Sequence, residues 1–398
     1  MFPEKTQFPT FNSSINYVMK QCIYADNAAT TKLSMAALEA MKPFLLYEYG
    51  NPSQPYSFSR ATKKALKEAR ETIASCIGAN PEEIYFTSGG TESDNWVISS
   101  LGIKNKKAGA ILTSAIEHHA VLRPCEAVEE FGLPVAYMWP TESGEITPAI
   151  LKSYITDSTK LVSVMYVNNE IGTTQPIKQL CDIAHFYGAL FHTDAVQAVG
   201  HIKINVHELK IDFLSASAHK FNGPRGIGFL YIRKGVTLSP FFHGGSQENG
   251  MRAGTENVAA IVGMSIALKE NCDRLSSSQE HITMLEKTFF HFLDQSGVKY
   301  KRNGTNQMYG IISVSFPNCD GEALLHRLDL KGIYISTGSA CDSKRKEVSH
   351  VLKAIQLDEI YANGTVRISL SSLNSQEEVI TIAQEIIKIL RNNSAGSF

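Results

Sequence analysis

Short apolar runs alternate with longer stretches of helical periodicity along most of the chain. Ser34 to Leu46 carries a helical pattern, and from Ser59 to Ile77 the spacing Ala61, Ala65, Leu66, Ala69, Ile73 makes a stripe that Gly78 stops. Glu83 to Thr87 reads as a strand. Further strands are expected at Ala110–Thr113, Val135–Met138, Leu161–Met165 and Ala189–Thr193. Helices are expected between several of them, including Thr147–Ile155, where Pro148 suits a first helical position, and Ile177–Tyr187. This alternation predicts an α/β fold with a mostly parallel sheet covered on both faces, whose ligands bind at the carboxyl ends of the strands. After Glu256 one long helical region is expected to about Asp294, leading into a second, smaller domain. There Ile311–Phe316 alternates like a strand with one solvated or polar face, and Gly321–Asp329 reads as a helix. Thr365–Leu370 alternates again, and Glu377–Leu390 closes with a helix before a frayed tail at Asn392–Phe398.

Composition narrows the class without naming a chemistry. The chain has 398 residues, 43% hydrophobic and 19% charged, with a formal net charge of -1. That suits a large domain plus a smaller one and carries no electrostatic footprint for nucleic acid or an acidic membrane surface. The longest apolar run, Asn257 to Leu268, is broken by Gly263 and Ser265 and is too short to span a bilayer. Met1 to Gln21 has no continuous apolar stretch of the kind a secretory signal needs. The seven cysteines are scattered without a C-x-x-C pair, which favours a reducing compartment, by default the cytoplasm, over a disulfide framework or a metal site.

Two stretches carry candidate chemistry. The strand at Glu83–Thr87 runs into Ser88-Gly89-Gly90-Thr91-Glu92-Ser93-Asp94-Asn95, a glycine turn with hydroxyls ahead of a helical segment. Backbone N–H groups and a positive helix end converge there on a site for an anion such as phosphate. It matches neither a Walker loop nor a dinucleotide fingerprint. The second stretch, Asp212 to Gly226, begins apolar and breaks into Ser215-Ala216-Ser217-Ala218-His219-Lys220 before Gly and Pro punctuation. A lysine at the end of a buried strand must be paired, or neutralised by forming an imine with a carbonyl cofactor. Ser217 and His219 would stand beside it as phosphate donors. The stretch alone equally accommodates a solvated loop lysine. More telling is that Thr91, His118, Asn169, Asp194, Gln197 and Lys220 all fall at expected strand ends.

From about Tyr24 to Leu390 the chain resembles a cysteine desulfurase (NifS/IscS-like) of the class V aminotransferase family, pyridoxal-phosphate (PLP) enzymes of fold type I. The resemblance rests on motifs in order: Asp26-Asn27-Ala28-Ala29-Thr30-Thr31, Gly50-Asn51-Pro52-Ser53, Phe86 to Ser93, Glu117-His118, Val167 to Gly172, Asp194-Ala195-Val196-Gln197, Ser217-Ala218-His219-Lys220, Arg252 to Asn257, Gly338-Ser339-Ala340-Cys341 and Arg367-Ile368-Ser369-Leu370. It implies a large PLP-binding domain at 30–275 with a mostly parallel, seven-stranded-type sheet. A smaller α+β domain at 276–398 would carry a mobile cysteine loop, and the N-terminal segment 1–29 would be part of that small domain. The implied reaction converts L-cysteine to L-alanine with transfer of sulfur to Cys341.

The resemblance also implies roles. Lys220 binds the cofactor covalently and moves the substrate α-proton, Asp194 pairs with the pyridine nitrogen, and His118 stacks on the ring. Gln197 and Asn169 reach the ring oxygen, and Asn169 also the substrate carboxylate. Gly90, Thr91, Ser217 and His219 surround the phosphate, and Thr255 reaches the phosphate of a neighbouring subunit, which makes the protein a homodimer. Arg367 clamps the substrate carboxylate. His119 is expected to be a surface residue. The run Lys344-Arg345-Lys346 either favours the Cys341 thiolate or forms a solvated face. Val348 stands where the family usually has proline, and Ser371-Ser372-Leu373 replaces a usual Gly-Arg-aromatic. The lead before Tyr24 is longer than usual and the C-terminal tail shorter. These departures leave open which acceptor protein receives the sulfur: an iron–sulfur scaffold, a tRNA-modifying enzyme or a DNA phosphorothioation system. A selenocysteine lyase, another class V enzyme and an inactive PLP-binding scaffold are the alternative readings.

Overall fold

The computed structural model describes residues 22–104, 109–337 and 348–395. Cys341 and the residues just before it, Gly338 to Ala340, lie outside this set. The strands are β1 (Ile23–Tyr24), β2 (Ile84–Thr87), β3 (Ala110–Ser114), β4 (Val135–Met138), β5 (Thr159–Ser163), β6 (Leu190–Asp194), β7 (Phe213–Ser217), β8 (Gly228–Ile232), β9 (Lys301–Arg302), β10 (Ile311–Ser315), β11 (Ile333–Tyr334) and β12 (Thr365–Ser369). The helices are α1 (Met35–Leu46), α2 (Arg60–Ile77), α3 (Gly90–Lys104), α4 (His119–Glu130), α5 (Pro148–Tyr154), α6 (Ile177–Phe186), α7 (Val206–Leu209), α8 (Val258–Asp273), α9 (Leu275–Ser296), α10 (Gly321–Asp329), α11 (His350–Ala354), α12 (Glu359–Ala362) and α13 (Gln376–Ala395). Among the described residues no helix is long and apolar enough to cross a membrane.

A seven-stranded sheet in the order β2-β8-β7-β6-β5-β3-β4 organises the site. Only β8 runs against its neighbours, pairing antiparallel with both β2 and β7, while the remaining pairs are parallel. The strands are apolar on both sides because both faces are covered. Phe191, Leu214 and Tyr231 join one cluster with α2, α6 and α8, while Ile111, Leu161 and Phe213 join Trp96 and Val121 of α3 and α4 on the other. The parallel arrangement turns the carboxyl ends of β2, β3, β5, β6 and β7 to one edge. A second core forms around β10, β12, α9 and α13, and Ala25 belongs to it. β1 adds to this part of the molecule by pairing parallel with β11.

Several expected elements are corrected by the fold. The helix after the glycine turn begins at Gly90, so Thr91 to Asn95 are already helical. The expected helix from Glu256 to Asp294 is two, because Arg274 leaves helical geometry between α8 and α9. Apolar spacing continues through that break, so periodicity alone does not reveal it. Of the two readings for the alternating face of β10, solvated or polar, the structure has the second. Ser313 and Ser315 are buried and accept from Asn303 Nδ2 at 3.1 and 2.7 Å, and Ser315 also meets Thr365 Oγ1 at 2.7 Å. Asn392 to Ala395, expected to fray, complete α13.

Candidate active site

The edge of the large sheet opens into a cavity of about 810 Å³ lined by residues from five strand ends and from β12. Gly90, Thr91, His118, Asn169, Asp194, Gln197, Ser217, His219, Lys220 and Arg367 all line it. Of the expected site residues within the described set, only Thr255 stands apart. It is exposed and borders a separate cleft with Ser88, Arg252 and Gly254.

Local chemistry explains each placement. β7 ends at Ser217, and a single 3₁₀ turn, Ala218–Lys220, swings Lys220 into the cavity. Its Nζ donates to the carbonyls of Ala28 at 2.6 Å and Ala29 at 2.9 Å, in the polar turn that follows β1. Gln197 Nε2 donates to the same Ala28 carbonyl at 2.8 Å. His118 caps α4, its Nδ1 accepting from Ala120 N at 3.1 Å, which leaves the proton of the neutral ring on Nε2. Burial, reinforced by the Lys220, His119 and His350 charges, holds that imidazole below its ordinary value despite Asp194 nearby. Asp194 closes β6, and its Oδ1 accepts from Val196 N at 2.9 Å. Burial and the neighbouring Asp94 push the Asp194 carboxyl up to about 7.

Under this floor lies a polar cluster. His192 Nδ1 meets Ser163 Oγ at 2.8 Å, its Nε2 meets Ser215 Oγ at 3.0 Å, and Asp94 Oδ1 is 3.5 Å from Nε2. Burial takes His192 down to about 4 and Asp94 up to about 7, so at neutral pH the imidazole is uncharged. Glu117, fully buried, accepts from Ser114 Oγ and from Met165 N at 2.8 Å.

Arg367 reaches the cavity from β12. Its Nη1 donates to Asn169 O at 2.9 Å and its Nη2 to Asp26 Oδ1 at 2.7 Å. The buried Nε has no hydrogen-bond partner among the described residues. A donor left over on a buried guanidinium is an open position for a carboxylate oxygen. Asp26, Glu117, Glu170 and His350 were not singled out from sequence as site residues. Asp26 begins the first polar turn and Glu117 precedes His118, but pairings across such long sequence separations leave no local pattern. His119, expected at the surface, is half-buried and lines the cavity, with its ring 5.1 Å from that of His350.

PLP has three reactive ends, and the cavity answers each. The first N–H groups of α3, at Gly90 and Thr91, together with Ser217 and His219 line one end of the cavity and suit a phosphate. A Cβ on Gly90 would stand 2.5 Å from Val196 Cγ2, so only glycine brings the helix start this close. The buried Asp194 carboxyl suits a protonated ring nitrogen, and Lys220 Nζ suits an aldehyde. The residues present therefore fit the cofactor.

The aminotransferase class V family model matches residues 23–382. The cysteine desulfurase IscS of Dictyoglomus turgidum is 46% identical over 382 residues, covering 94% of this chain and 97% of that protein. The cysteine desulfurase IscS of Methanosarcina thermophila is 44% identical over 380 residues, covering 94% of each. Among solved structures, a NifS-like protein superposes with a TM-score of 0.88 at 36% identity, covering 93% of this chain and all (100%) of that one. SspA in complex with cysteine superposes with a TM-score of 0.80 at 36% identity, covering 89% of this chain and 100% of that one. With this sequence match over nearly its whole length, the chain belongs to the class V aminotransferase family.

Proposed function

We propose that this protein is a PLP-dependent cysteine desulfurase. L-cysteine and the Cys341 thiol give L-alanine and a Cys341 persulfide. One sulfur atom moves, and the proton of the thiol ends on alanine. The persulfide then passes its sulfur by thiol exchange to an acceptor protein, for iron–sulfur cluster assembly, tRNA thiolation or related sulfur metabolism. The observation that carries this reading is the gathering of Lys220, Asp194, His118, Asn169 and Arg367 in one cavity. The relatives named cysteine desulfurase and the cysteine-bound structural neighbour support the choice of substrate.

In this reading Gly90, Thr91, Ser217 and His219 hold the phosphate, Asp194 the ring nitrogen, His118 the ring face, and Gln197 with Asn169 the ring oxygen. When bound, PLP supplies a carbonyl that captures the substrate amine and a ring that accepts electrons from its Cα. Arg367 receives the substrate carboxylate on Nε, already held by Asp26 and by the Asn169 carbonyl. Lys220 Nζ, flanked by the Ala28 and Ala29 carbonyls, takes the α-proton. Neutral His118, with its proton on Nε2, is suited to hand a proton back. The Cys341 thiolate attacks the substrate sulfur.

The working molecule in this proposal is a homodimer in the cytoplasm. Leu45, Leu46, Tyr47, Tyr49, Tyr56 and Phe58 form an exposed apolar stretch around the end of α1, more than a solvated surface ordinarily carries. Thr255, outside its own cavity, is then available to a partner's phosphate. The scattered cysteines support a reducing compartment. Borohydride reduction tests the assignment. The cofactor should be fixed on Lys220 and found there by peptide mapping, and label on another lysine would contradict it.

A further inference from the structure

Glu170 follows Asn169 in the turn beyond β5, lines the cavity, and is buried at 6% exposure. Its Oε2 accepts from Ser349 Oγ at 2.6 Å. The same Ser349 Oγ accepts from Val351 N at 3.1 Å and so caps α11. One residue on, His350 Nε2 donates to the Glu117 carbonyl at 3.0 Å. Val351, Leu352, Ala354 and Ile355 then pack on Ile116 and Ile171 in a small apolar cluster separate from the main cores. Helix α11 is thus fastened at two places, and each fastening adjoins a residue of the site. Ile116 and Glu117 lead to His118. Glu170 and Ile171 follow Asn169, whose carbonyl receives Arg367.

A carboxyl buried in a cavity wall is unfavourable unless it is bonded or neutral. Burial pushes Glu170 up to about 7, while the Ser349 hydrogen bond and the Arg367 charge act in the opposite direction. Ser349 alone supplies the cap that α11 needs, so helix capping does not explain the acid. What Glu170 adds is a tie between that cap and the turn that holds Arg367.

We propose that Glu170 is a positioning residue for the substrate-carboxylate site. Its hydrogen bond with Ser349 fixes α11 against the turn bearing Asn169, and the turn in turn orients Arg367. The inference rests on the desulfurase reading only in its choice of L-cysteine as ligand.

The experiment compares full-length, PLP-loaded Glu170→Ala, Glu170→Gln, Ser349→Ala and the double alanine variant. Visible absorbance and the borohydride label on Lys220 are read first. Failure to load PLP in the unmodified protein would count against the desulfurase reading and leave the tie untouched. Amide hydrogen exchange over residues 350–354 and the KM for cysteine then test the tie. Glu170→Ala should raise KM roughly five- to hundredfold, more than it lowers kcat, and speed exchange in α11 by a similar factor. Ser349→Ala removes that bond and the cap to Val351 N as well, so its effects should be at least as large, and the double variant should match Ser349→Ala within about twofold, because the Glu170 bond is already lost in it. Glu170→Gln keeps an acceptor for Ser349 and should restore both readouts. Unchanged exchange and KM in either single variant, multiplicative effects in the double, or a glutamine variant as impaired as alanine would overturn the proposal. Should Glu170→Ala fail to fold, Glu170→Leu, which removes the acceptor and keeps the Ser349 cap on α11, carries the same test.

Discussion

Asp194, proposed to hold the ring nitrogen of PLP, is an unfavourable placement in the bare protein. Its carboxyl is raised to about 7 by burial and by Asp94, so above that pH the folded protein without cofactor carries an ionised group it solvates poorly. A raised carboxyl is favourable when protonated, and this part of the stability is lost as pH rises toward and through 7. Asp194→Asn should therefore melt several degrees higher than the unmodified protein when both are cofactor-free at pH 8. The same variant should hold PLP poorly. A lower melting temperature for the asparagine variant would contradict this account of the site. His192 works with the opposite sign. Its pKa is depressed to about 4 from an ordinary 6.5, so acidification between those values favours the unfolded chain. Replacing it with Gln should flatten the acid limb of the stability curve by up to about 3 kcal/mol, read by denaturant titration from pH 7 to 4. Arg367→Lys keeps the charge but loses the fork, and KM for cysteine should rise at least roughly tenfold with the visible band unchanged. Asp194, Lys220 and His118 were legible as site candidates because each closes or follows a strand whose apolar pattern points at it. Asp26 was not, because its partner Arg367 stands 341 residues away and only the fold joins them.

At the scale of elements, the start of α3 joins the cavity to the loop bearing Thr255. Arg252 grips Glu92 through Nε at 2.8 Å and Nη2 at 3.1 Å, one residue from Thr91, and its guanidinium lies 5.2 Å above the Phe242 ring. Glu92 Oε2 also accepts from Ser88 N at 2.9 Å, closing the turn ahead of the helix. Arg252→Ala should lower stability by about 1–3 kcal/mol and also loosen the Thr255 loop, so in the proposed homodimer cofactor dissociation and subunit dissociation should quicken together. Dialysis against a PLP trap and sedimentation at low concentration would check the pair of effects. Helices such as α2 were readable almost to the residue, since Gly78, at φ 68°, supplies the left-handed stop its pattern implies. The buried hydroxyls of β10 were not. Ser313 and Ser315 look like a wet face until Asn303 and Thr365 are brought beside them. Alternation reports that two faces differ, and polarity alone does not say which faces water.

In the whole molecule, the polar turn after β1 ties the cavity to the second core. Asp26 bonds Arg367, Asn27 Nδ2 donates to Ser369 O at 2.8 Å, and the Ala28 carbonyl receives Lys220, so β12 and the large sheet meet through three consecutive residues. The α/β class and the parallel sheet follow from alternation, and the order of its strands is visible only in three dimensions. In the proposed function, chemistry at this site ends with sulfur on Cys341. Single-turnover release of alanine from bound cysteine, with persulfide counted in the same samples, tests it most directly. The unmodified protein should release one alanine for each persulfide formed. Cys341→Ser should bind cysteine and perturb the visible band, yet form no persulfide and release alanine at least roughly a hundredfold more slowly. Lys220→Ala should stall earlier, before the α-proton is lost. Alanine and free sulfide appearing from Cys341→Ser at close to the unmodified rate would contradict the account, since sulfur would then leave without an enzyme thiol.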